Sequence, residues 1–104
     1  MYKLNKKLSG IFREMAGIYR FRGSEDRFRV QAYENSARVL DHLQEDIRNY
    51  MKNDHLVEVK GIGESIAKKI REYVKTGKID KYEELKKNVP PDFVDLMDVQ
   101  GIGP

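Results

Sequence analysis

At 104 residues the chain has room for one small domain with a single core, plus the start of a second, and is too short for a multidomain enzyme. Charged residues make up 36% and hydrophobic residues 39%, a polar composition that still carries enough aliphatic and aromatic side chains to fold, so disorder of the whole chain is excluded. With no cysteine there is neither a disulfide nor a thiolate metal site, and no apolar stretch approaches membrane-spanning length, so an intracellular protein with no membrane partner is expected.

Leu4, Leu8, Ile11, Phe12, Met15, Ile18 and Tyr19 recur at the three- and four-residue spacing of an amphipathic helix, which predicts one over residues 3 to 21, slightly weakened by Gly10 and Gly17. Turn residues follow at 23 to 26, where Ser24 or Asp26 would cap a second helix over 27 to 43 with Val30, Tyr33, Ala37 and Leu40 as its inward stripe. A short third helix is expected at 47 to 51, and Asp54 would cap another at 56 to 59 that runs into Gly61-Ile62-Gly63. The helix that follows, 64 to 75, presents Ile66, Ala67, Ile70, Tyr73 and Val74 on one face, and Gly77 stands where a left-handed residue ends a helix. A short helix near 82 to 87 precedes Pro90-Pro91, the expected boundary between a domain at 1–89 and a second at 90–104, within which 93 to 99 is helical. No window alternates with period two, so the fold class is all-α, a compact helical bundle.

The pentapeptide Val59-Lys60-Gly61-Ile62-Gly63 returns as Val99-Gln100-Gly101-Ile102-Gly103, and only the first copy is followed by a full helical pattern. The second stops at Pro104, so the sequence reads as a fragment of a longer chain. A Gly-hydrophobic-Gly turn opening onto a helix brings backbone close to an anion, because glycine has no Cβ and the first helical turn offers unpaired N–H groups at its positive end. The charge follows the motif. Residues 60 to 81 hold seven cations and three anions, a local +4 in a chain whose net charge is +3. The expected anion is a nucleic-acid phosphate, against the plainer reading of a solvated helix face.

The run from Leu56 to Ile70 resembles a helix-hairpin-helix motif of proteins that bind DNA without sequence specificity, with a repeat that strengthens it. Phe28-Arg29-Val30-Gln31-Ala32-Tyr33, the hairpin, and Thr76-Gly77-Lys78-Ile79-Asp80-Lys81 together resemble the N-terminal small domain of family X DNA polymerases over residues 5 to 88, with 93 to 104 resembling the start of the next hairpin. The resemblance implies binding of the 5′ phosphate at a DNA gap by a repair protein. Separately, the charged N-terminus with no apolar run after it leads to the expectation of a cytoplasmic, nucleoid-associated location, and a monomer is expected. It implies no cofactor for this fragment except a monovalent cation on the hairpin backbone. Divalent metal belongs to a polymerase domain outside this chain, which is therefore not expected to synthesise DNA.

In lyase-active members a lysine on the hairpin's second helix forms a Schiff base with a 5′ deoxyribose phosphate, and by position that is Lys69. The helix geometry agrees: at 100° per residue Lys69 lies about 40° from Tyr73, at the edge of the apolar face, whereas Lys68 points away. Partial burial and neighbouring cations lower an amine's pKa, as a Schiff-base lysine requires; the alternative is a lysine whose stem merely lies along the core edge. Arg29 and Tyr33 match a lysine and a tyrosine of the family's phosphate pocket, and Lys81 matches another pocket lysine. Tyr33 reads equally as a core aromatic with its hydroxyl at the surface. The expected DNA- and phosphate-binding set is Arg29, Lys60, Gly61, Ile62, Gly63, Ser65, Lys68 and Lys81, with Lys69 the candidate nucleophile and Tyr33 its catalytic neighbour.

Three positions depart from the family pattern. Ser65 stands in place of a phosphate-binding lysine, Phe28 in place of a histidine, and Lys68 in place of the acidic residue before the nucleophile. Binding and lyase chemistry are therefore separate expectations, and a non-catalytic helix-hairpin-helix module for protein or RNA interaction is the alternative. His42 and His55 lack metal-ligand spacing and read as surface or capping residues.

Overall fold

A computed structural model describes residues 2–23, 27–52 and 55–88. Four α-helices account for most of them: α1, Lys3–Arg22; α2, Arg27–His42; α3, Glu64–Thr76; and α4, Asp80–Lys87. No strand occurs among the described residues, as the missing period-two pattern requires.

The 20 residues of α1 run unbroken through both glycines and end at Gly23, whose N–H donates to the Tyr19 carbonyl at 3.2 Å. Leu8, Phe12, Met15, Ile18 and Tyr19 are buried against Val30, Tyr33, Ala37 and Leu40 of α2, so both predicted stripes are the core faces. Aromatic rings join the two helices: Tyr33 lies 5.8 Å from Phe12 and stacks almost parallel on Tyr19 at 5.7 Å. Ion pairs between Arg13 and Asp41 and between Arg20 and Glu34 lie along the exposed side of the same contact.

Asn5 is fully buried, which hydrophobic spacing does not foresee. Its amide donates to the Glu45 carbonyl and its oxygen accepts from the Ile47 N–H, each at 2.8 Å, so a short polar side chain satisfies two backbone groups of the loop after α2. That loop continues as a single 3-10 turn, Ile47–Tyr50, capped by Asp46, whose carboxylate accepts from the Arg48 N–H at 2.9 Å. The short third helix expected here is thus a tighter turn that inserts Ile47 into the core.

The hairpin's first arm is likewise a 3-10 turn, Leu56–Glu58, anchored by buried Leu56. In α3 the buried face is Ile66, Ala67 and Ile70, with Tyr73 at its edge, whereas Val74 is exposed because the core covers only the first two turns. Gly77 closes α3 in the left-handed region, φ 84°, and donates to the Tyr73 carbonyl at 2.8 Å. Next, α4 starts two residues earlier than its sequence pattern indicates, with Ile79 and Leu85 reaching the core. The expected caps Ser24, Asp26 and Asp54, and the whole of 90–104 with its second hairpin, lie outside the described residues.

Candidate functional site

The glycine turn is fastened to α2. Gly61 has φ +96°, and a Cβ there would sit 2.6 Å from Val39 Cγ2, so both the backbone and the packing require glycine. Ile62 is buried, its N–H donates to the Val59 carbonyl at 3.0 Å, and the Ser36 hydroxyl reaches the Gly61 carbonyl at 3.4 Å. Gly63 differs in kind. Its backbone is extended, with φ −86° and ψ 179°, and a Cβ on it would meet nothing within 4 Å. No side chain caps α3 at this position, so the first-turn N–H groups are left to the surface at the positive end of the helix.

Beside the turn lies a cavity of about 460 Å³ to which all four helices contribute: Tyr19 from α1, Phe28, Arg29 and Tyr33 from α2, Ser65 and Lys69 from α3, and Lys81 from α4. Because α3 begins at the turn, Ser65 and Lys69 project one helical turn apart toward the N-terminal turn of α2. Lys69 Nζ donates to Ser65 Oγ at 3.2 Å and sits 5.9 Å from the Tyr33 ring centroid. Burial holds the Lys69 ammonium below its ordinary pKa; Glu72 opposes the shift, while Lys81, Arg29 and Lys68 each add to it. Burial also pushes the Tyr33 phenol up to about 12, with Tyr19 adding and Arg29 opposing. At neutral pH Tyr33 is therefore a hydrogen-bond donor and not a base.

The tyrosine stack also organises the cations. The Arg29 guanidinium lies 5.5 Å and that of Arg22 5.4 Å from the Tyr19 ring centroid, so the rings hold two arginines on one tyrosine and Lys69 on the other. Lys81, half-buried, pairs with Glu84 at 3.4 Å across one turn of α4.

Of the residues expected from sequence, Arg29, Tyr33, Ser65, Lys69 and Lys81 converge on this cavity. Lys60, Gly61, Ile62, Gly63 and Lys68 are not among its lining; Lys60, Gly61, Gly63 and Lys68 lie on the exposed surface, and Ile62 points into the core. Tyr19 was expected only as a core residue, and the structure places it in the cavity wall as well. Phe28, 83% exposed, also lines the cavity; its signal in the sequence is an aromatic that falls off the apolar stripe of α2. His42 and His55 are exposed, and His55 contacts Glu58.

The helix-hairpin-helix domain model matches residues 3–79, from the start of α1 to the residue before α4. The DNA polymerase/3′-5′ exonuclease PolX of Bacillus subtilis (strain 168) is 30% identical over 90 residues, which cover 86% of this chain and 15% of that protein. DNA polymerase lambda of Arabidopsis thaliana is 32% identical over 102 residues, covering 97% of this chain and 18% of that protein. The chain thus spans less than a fifth of the length of these relatives. A match that takes in α1, α2 and the whole hairpin, together with relatives aligned along most of the sequence, means that the chain belongs to the helix-hairpin-helix domain family, and its relatives are family X DNA polymerases.

Proposed function

We propose that this domain binds DNA without regard to sequence, holding the 5′-phosphorylated end at a gap, as the N-terminal domain of a family X repair polymerase. The observation that carries the reading is the convergence of Arg29, Lys69 and Lys81, from three helices, on one cavity. Three cations gathered at a single concavity attract an anion, and burial first, then the charges of Lys81 and Arg29, hold the Lys69 ammonium below its ordinary pKa against the opposing pull of Glu72. A terminal phosphate fits: Arg29 offers a planar fork, Lys69 and Lys81 point charges, and Ser65 and Tyr33 neutral donors. The strand beyond the phosphate would run to the hairpin, where first-turn N–H groups of α3 meet the backbone with no side chain at Gly63 in the way. A monovalent cation is compatible with the turn, since the Val59 carbonyl, bonded to the Ile62 N–H, keeps a second lone pair.

Fluorescence anisotropy with gapped duplexes that differ only in the 5′ phosphate tests this. The phosphate is expected to tighten binding, and Arg29→Ala or Lys81→Ala to remove about ten- to a hundredfold of that gain, the range of one charge-assisted hydrogen bond. Equal affinity for both ends, or strong preference for one sequence, would sink the proposal.

A second reading, 5′ deoxyribose-phosphate lyase activity, is favoured by the half-buried, pKa-lowered Lys69 in the same cavity. Its free amine would add to the C1′ aldehyde and expel water as the Schiff base forms. Loss of a C2′ proton then breaks the C3′–O bond and leaves the 5′ phosphate on the DNA. Borohydride is expected to trap an adduct that Lys69→Ala abolishes while most of the 5′-phosphate binding remains, with Lys68→Ala run in parallel as the adjacent amine. No adduct from the wild-type chain at saturating DNA would leave a binding module alone.

A further inference from the structure

A second concavity, about 640 Å³, lies between the first half of α1, the end of α3 and the start of α4, and shares no lining residue with the phosphate cavity. Its floor is apolar, built from Gly10, Ile11, Tyr73, Ile79 and Tyr82, and its rim carries Lys3, Lys6, Lys7 and Lys78. The two carboxylates in the lining are engaged, Glu14 accepting from the Tyr82 hydroxyl and Glu83 pairing with Lys86 at 3.4 Å. Among the described residues none of the four rim lysines has a carboxylate partner.

Gly10 singles the groove out. It lies inside α1 without a positive φ, and a Cβ on it would meet nothing within 4 Å, so neither backbone nor packing calls for glycine. Alanine would favour the helix more. What the missing side chain provides is depth in the groove floor.

We infer that this groove docks an acidic amphipathic helix of a partner protein, its apolar side chains on the floor, one of them over Gly10, and its carboxylates against the lysine rim. The lining residues of α1, 3 to 14, extend about 16 Å at the helical rise, which matches three turns of a docked helix. Nucleic acid suits the site less well, because a phosphate backbone buries none of the apolar floor.

Panning a random peptide library on the full chain tests the inference, since the groove selects its own ligand chemistry. Recovered peptides are expected to combine apolar residues at helical spacing with Asp or Glu and to perturb the NMR signals of Ile11 and Ile79. Their affinity should fall about tenfold or more in Gly10→Trp, which fills the floor, and in Lys6→Glu/Lys7→Glu, which reverses exposed rim charges. Binding of 5′-phosphate DNA should be unchanged in both. If Gly10→Trp unfolds, the exposed lysine pair decides alone. Peptides lacking carboxylates, affinities indifferent to Lys6→Glu/Lys7→Glu, or a DNA duplex perturbing Ile11 and Ile79 in place of the peptides would each overturn it.

Discussion

Lys69 is placed so that its proton is easier to lose than that of a surface lysine. Burial disfavours the ammonium, and Lys81 and Arg29 repel it, so removing either cation should raise the Lys69 pKa. For Lys81→Ala the pH profile of borohydride trapping is therefore expected to move to higher pH; a shift to lower pH would mean that Lys81 does not act on Lys69 through its charge. Tyr33 titrates the other way. Its phenol holds the proton to about 12, whereas the unfolded chain loses it near 10, so this group's contribution to stability is complete below pH 10 and is lost as pH rises toward 12. The lowered Lys69 pKa has the opposite sign, with stability rising as pH climbs from that pKa to 10.5. The phenolate absorbance of Tyr33, read against Tyr33→Phe, should appear only near pH 12, and a midpoint near 10 would show that burial does not hold the proton on this phenol.

At the scale of elements the two hairpin glycines separate. Val at position 61 would need a positive φ and would strike Val39, so Gly61→Val is expected to destabilise the fold by several kcal/mol, whereas Gly63→Val enters open space on extended backbone and should melt within about 0.5 kcal/mol of wild type. DNA affinity should fall in the folded Gly63→Val protein, and unchanged binding would make the turn purely structural. The sequence treats these glycines alike, because what distinguishes them is a contact with α2 made far along the chain. The helical stripes of α1 and α2, the Gly77 stop and the edge position of Lys69 were legible, since each follows from local periodicity or turn chemistry. Asn5 was not, because its two partners lie 40 and 42 residues away. Asn5→Ala would leave the Ile47 N–H and Glu45 carbonyl unpaired and is expected to cost about 2–4 kcal/mol in a denaturant melt; a loss below about 0.5 kcal/mol would show that water replaces both bonds.

Across the whole molecule, α3 and α4 each serve two surfaces: Ser65, Lys69 and Lys81 face the cavity they share with Arg29 and Tyr33, while Tyr73 and Tyr82 face the lysine-rimmed groove. The helices that position the cations proposed to bind phosphate are thus the ones a docked partner would touch, one turn away along α3. A net charge of +3 is small for a diffuse field, so on the proposed function the affinity for DNA comes from cations at fixed places on the surface. Log affinity for 5′-phosphorylated DNA should then fall linearly with log salt. Arg29→Ala and Lys81→Ala should each lower the magnitude of that slope by up to about one unit, because a cation bound to phosphate displaces about one counterion. Lys6→Glu/Lys7→Glu, with a larger change in net charge but outside the phosphate cavity, should leave the slope nearly where it was. A slope that follows net charge and ignores position would assign DNA binding to the general field of the domain and remove the cavity from the account.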